Sequence, residues 1–311
     1  MNKFLEKIYD SNLVQTPINL SKKVIIPGFD GMPLYKVLVF FINGVSKNSL
    51  TTRASSLAFR FFLALFPFII FIVSIIPYIP VDNFHSELLN LLQQILPGES
   101  YSMAESTIND LVHKKHNTLL SFGFIFAFYL ASNGVNSMIT AFNSSYHAIK
   151  KGSFIESYLR SFLLLIILTV LMIVAIGLVI FSEMIVGYFI TEGFLKGGTL
   201  IFLLHIIKYI IILLLYFLGI SSLYYFGNIK NEKFRFISAG STLATLLSIL
   251  LSSGFAFYVN HFASYNKVYG SIGTLIVIML WLYFNSLVLL IGFELNASIK
   301  HAKSTKQIDN D

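Results

Sequence analysis

Six stretches of this chain run for 21 residues or more without an Asp, Glu, Lys or Arg, and no other feature restricts the fold as much. They are 61–81, 116–149, 161–182, 209–229, 236–266 and 268–293. A helix needs about 20 residues to cross a hydrocarbon core about 30 Å thick, so each stretch is long enough to span a bilayer. The chain is 56% hydrophobic and 12% charged, against about 45–50% and 25% in an ordinary soluble domain. The expected fold is therefore an all-α polytopic membrane protein with six transmembrane helices and short interfacial helices. The fourth span can also be drawn from near Leu200, with Lys208 inside its outer end. The fifth and sixth are separated only by 261–270, which is expected to be a tight hairpin. No cleavable leader stands at the N-terminus, so the first span is expected to direct insertion itself.

The charges outside these blocks orient them. Counting Lys and Arg by segment gives 8 before the first span, then 2, 3, 1, 3, 1 and finally 3, with Lys208 left within a span. Alternate segments therefore carry 17 on the side of the termini and 4 on the other. The positive-inside rule assigns the 17 to the cytoplasm, so both termini are expected there. The net charge of +7 then follows from topology and anionic lipid, and nucleic acid is not an expected partner.

Two segments outside the spans have one apolar helical face. Leu34, Val37, Leu38, Phe41 and Val45 follow Pro33, a residue suited to a first helical turn. This helix is expected to lie flat on the cytoplasmic surface. Phe84, Leu88, Leu91, Leu92 and Ile95, ending at Pro97-Gly98, repeat the pattern in the longest outer loop. The resulting division is a cytoplasmic segment at 1–50 with its interfacial helix, a six-helix domain at 51–299 and a cytoplasmic tail at 300–311. The tail from Lys303 onward is expected to be mobile.

Polar residues within the spans are the candidates for function. Ser132, Asn136, Thr140, Asn143 and His147 recur at intervals of four, four, three and four, a stripe about 22 Å long on one face. Such a stripe serves either interhelical hydrogen bonds or a polar translocation surface. Arg53, Ser56 and Arg60 share a face at the start of the first span. Asn143, His147 and Glu294 fall at the same depth, so Arg53 or Arg60 can pair with Glu294 or receive an anionic head group; ordinary anchoring at the interface is the alternative. Lys208, one turn from His205, is either a snorkelling residue or part of an outer pathway. Pro67 and Pro77 are positioned to kink the first span. Gly240, Ala244, Ser248, Ser252 and Ala256, at strict four-residue spacing, form a face of small residues expected to pack another helix closely.

Soluble catalysis finds no support. Without cysteine there are no disulfides, thiolate metal sites or thiol nucleophiles. His113-Lys114-Lys115-His116 has no third ligand at metal spacing, and no phosphate loop, dinucleotide fingerprint or nucleophile elbow occurs. No cofactor and no enzymatic activity are expected.

Four places in the chain resemble a known family. Leu57-Ala58-Phe59-Arg60-Phe61-Phe62 followed by Leu65-Phe66-Pro67 is similar to its first-span motif, and Ala141-Phe142-Asn143 with Tyr146 to the end of its second span. Phe257-Tyr258, Ser264-Tyr265 and Tyr269-Gly270 resemble its last hairpin; Trp281-Leu282-Tyr283 with Gly292-Phe293-Glu294 resembles its sixth span. The family is that of the YihY/virulence factor BrkB membrane proteins, once labelled ribonuclease BN, and the resemblance runs from about Tyr35 to Ile299. It departs at Phe59 and Arg60, where the family usually has tyrosines, and at Phe293, where it usually has alanine. The resemblance implies a six-span bacterial inner membrane protein. Together with the polar stripe it leads to an expected transporter or lipid-handling protein not driven by ATP, with membrane lipids as partners. A structural envelope protein is the alternative, and a membrane ribonuclease is disfavoured.

Overall fold

The computed structural model describes residues 19–47, 49–75, 117–144, 154–191, 198–228, 235–262 and 271–308. Seven helices carry these segments: α1 (Leu34–Lys47), α2 (Leu50–Ile75), α3 (Asn117–Asn143), α4 (Phe154–Thr191), α5 (Gly198–Gly227), α6 (Ala239–Phe262) and α7 (Ser271–Ile308). Among the described residues the sole β-type pairing is an isolated bridge between Ile25 and Pro33. The fold is all-α, as expected.

Helices α3 to α7 each contain a window long and apolar enough to cross a membrane. Helix α2 takes the place of the expected first span, whose last residues, 76–81, lie outside the described residues, as do the helix expected in the following loop, Pro77 and most of the hairpin. The helices overrun the uncharged blocks. Helix α4 includes Glu156, Arg160 and Glu183; α5 begins at Gly198, which settles the fourth span in favour of the earlier start; α7 continues past Glu294 to Ile308, through the segment expected to be a tail. A charge marks where a helix leaves hydrocarbon, not where its backbone hydrogen bonds stop. At 38 residues, α7 is about 57 Å long and must project beyond a core about 30 Å thick.

Each of α2 to α6 packs against the next, and α7 packs against both α6 and α2, which closes a ring. Helices α4 and α5 are apolar all round, and only 11% and 6% of their spanning windows are buried inside the protein, so their remaining surface faces lipid. Most buried side chains gather at one end of the ring. Leu50, Ala54 and Leu57 begin α2; Met138, Ile139 and Phe142 end α3; Leu164 lies near the start of α4; Leu223 and Tyr224 end α5; Ala244 begins α6; and Leu290 and Phe293 lie in the second half of α7. Because the chain reverses direction at each helix, all these positions meet at the end that carries α1.

Helix ends at this level are satisfied by side chains. Arg160 of α4 donates to the carbonyls of Phe226 (3.4 Å) and Asn228 (2.9 Å), and Asn143 of α3 donates to that of Gly227 (2.8 Å), so the last carbonyls of α5 are not left bare. Arg160 is held in place by Glu156 at 2.8 Å. At the start of α6, Ser238 Oγ accepts from the Ser241 amide and Ser241 Oγ accepts from the Ser238 amide, both at 3.1 Å, a reciprocal cap. Asn296 of α7 adds a bond to the Gly240 amide at 2.8 Å.

Helix α1 forms where the pattern predicts, and the centre of its apolar face is covered by protein. Val37 is fully buried and packs with Leu34, Phe40 and Phe41 against Leu295, Ile299 and Ala302 of α7. The projecting part of α7 offers this protein surface, and of the α1 apolar residues Leu38, Val39 and Ile42 turn outward. The preceding loop tucks Phe29 and Met32 into the same cluster. Asp30, at φ 51°, lies between Gly28 (φ 91°) and Gly31 (φ 77°), positions that need left-handed backbone. Its carboxylate meets Arg235 at 3.2 Å and Lys303 at 3.9 Å.

Candidate functional site

Burying a carboxylate costs several kcal/mol unless an opposite charge compensates it. Glu294 is fully buried between α7, α2 and α1. Arg53 of α2 lies near enough to interact electrostatically with it. Arg53 Nη2 donates to the carbonyl of Ala141, which ties α2 to α3. Its Nε and Nη1 are also buried and have no hydrogen-bond partner among the described residues. The third wall is backbone: a Cβ built on Gly44 of α1 would fall within 2.9 Å of Glu294 Cδ and nearer still to Oε1. Only glycine leaves room for the carboxylate at that point.

The residues expected to share this site separate. Arg53 and Glu294 come together, whereas Arg60, two turns further along α2, is exposed. His147 lies outside the described residues. Within the α3 stripe, Asn136 Oδ1 accepts from Ser161 of α4 at 3.4 Å, and the flanking Asn133 accepts from Tyr158 at 3.2 Å. Asn143 donates to Ile139 and Gly227 carbonyls, and exposed Thr140 bonds back to Asn136 at 2.9 Å. Ser132 is half-buried. These bonds join α3 to its neighbours and leave few polar groups pointing into open space.

Gly240, Ala244 and Ser248 are buried in the small-residue face of α6, while Ser252 and Ala256 further along are exposed. The close approach shown falls on the first two of them: a Cβ on Gly292 would lie 2.7 Å from Gly240 O and 2.8 Å from Ala244 Cβ. Lys208 lies in α5 with its ammonium 5.4 Å from the Tyr209 ring centre, at the far end of the bundle from the Arg53–Glu294 pair.

Sequence reasoning passed over three contributors. Gly44 had no signal beyond its place in an apolar helix. Phe142, Tyr224 and Phe293 form an aromatic cluster just inside the charge pair: Phe142 and Phe293 stack at 4.4 Å and 4°, and Tyr224 meets both edge-on while donating to Leu289 O at 2.7 Å. Asn296, which joins α7 to the start of α6, carried a detectable signal as a polar residue two positions from Glu294.

A closed ring of apolar helices with a charge pair buried near one end defines a polytopic α-helical membrane protein, and among the described residues no three His, Asp or Glu side chains are grouped to hold a metal. The chain belongs to the family described as virulence factor BrkB, whose sequence profile matches residues 41–311. It is 32% identical over 252 residues to YfkH of Bacillus subtilis, a protein described as ribonuclease-like, covering 81% of this chain and 90% of that one. Two proteins described as UPF0761 membrane proteins are also similar. That of Chlorobium phaeobacteroides is 27% identical over 86% of this chain and 58% of its own length; that of Pseudoalteromonas translucida is 26% identical over 87% and 89%. No solved structure matches the chain.

Proposed function

We propose that this protein is a non-enzymatic lipid-handling protein of the bacterial inner membrane, with both termini in the cytoplasm, that receives anionic head groups at Arg53 and is not driven by ATP. The observation that carries this reading is the half-buried Arg53, which interacts electrostatically with Glu294 and whose buried Nε and Nη1 have no hydrogen-bond partner among the described residues. A guanidinium so placed can exchange part of its interaction with Glu294 for a bidentate bond to a phosphate. The cytoplasmic excess of Lys and Arg on the flanking segments supports the orientation.

The test is reconstitution into vesicles containing a phospholipid labelled on its head group, with transbilayer movement followed by chemical quenching of the outer leaflet. Wild-type protein is expected to accelerate movement, and Arg53→Gln and Glu294→Gln to abolish the acceleration while remaining folded. Vesicles in which wild type and both variants behave like protein-free vesicles would overturn it.

The alternative, a structural envelope protein, is favoured by the α3 bonds from Asn133, Asn136 and Asn143 to neighbouring helices. It predicts that Asn143→Ala and Glu294→Gln cost only stability.

A further inference from the structure

With the centre of the α1 apolar face covered by α7, the stretch before α1 exposes apolar side chains of its own. Leu20, Val24, Ile25 and Ile26 stand in the open, Leu20 at 65% and Ile25 at 57% exposure, together with exposed Lys22 and Lys23. Phe236 and Ile237, just before α6, are exposed as well, the latter at 69%, next to Arg235. Packing sets the two stretches side by side: Asp30 meets Arg235 at 3.2 Å, and a Cβ built on Gly28 would lie 3.6 Å from Ala239 Cβ. The Val24 carbonyl accepts from the Leu34 amide at 2.9 Å, which holds the aliphatic run to the start of α1. Ala239 opens the apolar window of α6, and Phe236 meets Tyr225, two residues before the end of α5, edge-on at 5.9 Å. The patch therefore stands at the level where α5 and α6 leave hydrocarbon, the depth at which head groups meet acyl chains.

We propose that residues 20–26 and 236–237 form a wedge that enters the leaflet at this end of the ring, with its aliphatic side chains among the upper acyl carbons and Lys22, Lys23 and Arg235 on anionic head groups. Exposed apolar side chains grouped in this way mark a binding surface, and the depth of the patch makes the bilayer the surface it meets. Charge selects anionic lipid: three cations border the aliphatic side chains, and although Arg235 Nε meets Asp30, 66% of the Arg235 side chain stays exposed. A protein partner on the same patch would have to supply acids that phospholipid head groups already provide at this depth. The wedge uses neither Arg53 nor Glu294, so it stands apart from the head-group reading above.

The chain has no cysteine, so the full chain accepts a single thiol-linked fluorophore without further change. The experiment places it at Ile25→Cys in nanodiscs whose phosphatidylcholine is brominated near the top of the acyl chains. Quenching is expected, and more of it when phosphatidylglycerol is added. The same label at Ser304→Cys, exposed on the projecting part of α7, should escape quenching. Lys22→Gln and Lys23→Gln should each lower the ratio of inserted to free wedge about fivefold in phosphatidylglycerol and change it little in phosphatidylcholine alone. Ile237→Cys repeats the measurement from the other half of the patch should Ile25→Cys not fold. Equal quenching at Ile25→Cys and Ser304→Cys, or quenching indifferent to phosphatidylglycerol and to both lysines, would overturn the proposal. So would a label shielded from water yet untouched by bromine, because another segment of this chain or a second copy then covers the patch.

Discussion

The carboxylate of Glu294 lies directly against the backbone of Gly44, so the docking of α1 on the bundle and the burial of the membrane carboxylate are one contact. In an ordinary helix, Gly→Ala adds about 0.5–1 kcal/mol of stability. Gly44→Ala is expected to do the reverse, lowering the thermal midpoint in detergent. In a Glu294→Ala background the loss should shrink or change sign, and a double-mutant cycle measures the coupling at about 1–2 kcal/mol. Additive effects would show that the two residues do not touch.

Removing the Glu294 carboxylate takes away an opposite charge that acts on the half-buried Arg53 guanidinium. Glu294→Leu is expected to cost about 3 kcal/mol, and the further change Arg53→Met to recover most of it. Urea or thermal unfolding of the three variants in the same detergent provides the comparison; a double variant no more stable than Glu294→Leu would contradict the pairing.

At the crossing of α6 and α7, Gly292 has no room for a side chain, since Tyr224, Gly240 and Ala244 enclose it. Gly292→Ala should cost about 1–3 kcal/mol through overpacking. Ser252→Ala, on the exposed part of the same α6 face, should change stability by less than about 0.5 kcal/mol.

Asn143 holds the end of α5 through the Gly227 carbonyl. Asn143→Ala should destabilise by about 1–2 kcal/mol without altering lipid movement per folded molecule. A variant of normal stability that no longer moves lipid would return the α3 stripe to the working surface.

The contacts from Asp30 to Arg235 and Lys303 are partly exposed to solvent. Asp30→Asn is therefore expected to cost no more than about 1 kcal/mol. It should nevertheless raise proteolysis within 19–33, an effect that high salt reproduces in wild type because screening acts on the same ion pairs.

The sequence by itself determined the all-α membrane class, the approximate course of the spans and the α1 helix, because hydrocarbon admits no charged residue in the middle of a crossing and imposes this over 20 consecutive positions. It also named Glu294 with either Arg53 or Arg60 as its partner, since charges at span ends are few. What it left undecided depends on which surfaces meet. Helix ends overran the uncharged blocks because backbone hydrogen bonding is indifferent to the solvent around it. The small-residue face of α6 is buried at Gly240, Ala244 and Ser248 and exposed beyond them, and Arg53 rather than the exposed Arg60 interacts with the carboxylate, because only the packed ring fixes how each helix is rotated about its axis. Gly44 could be recognised only there: its importance lies in a neighbour 250 residues away in the chain, and no local pattern records such a contact.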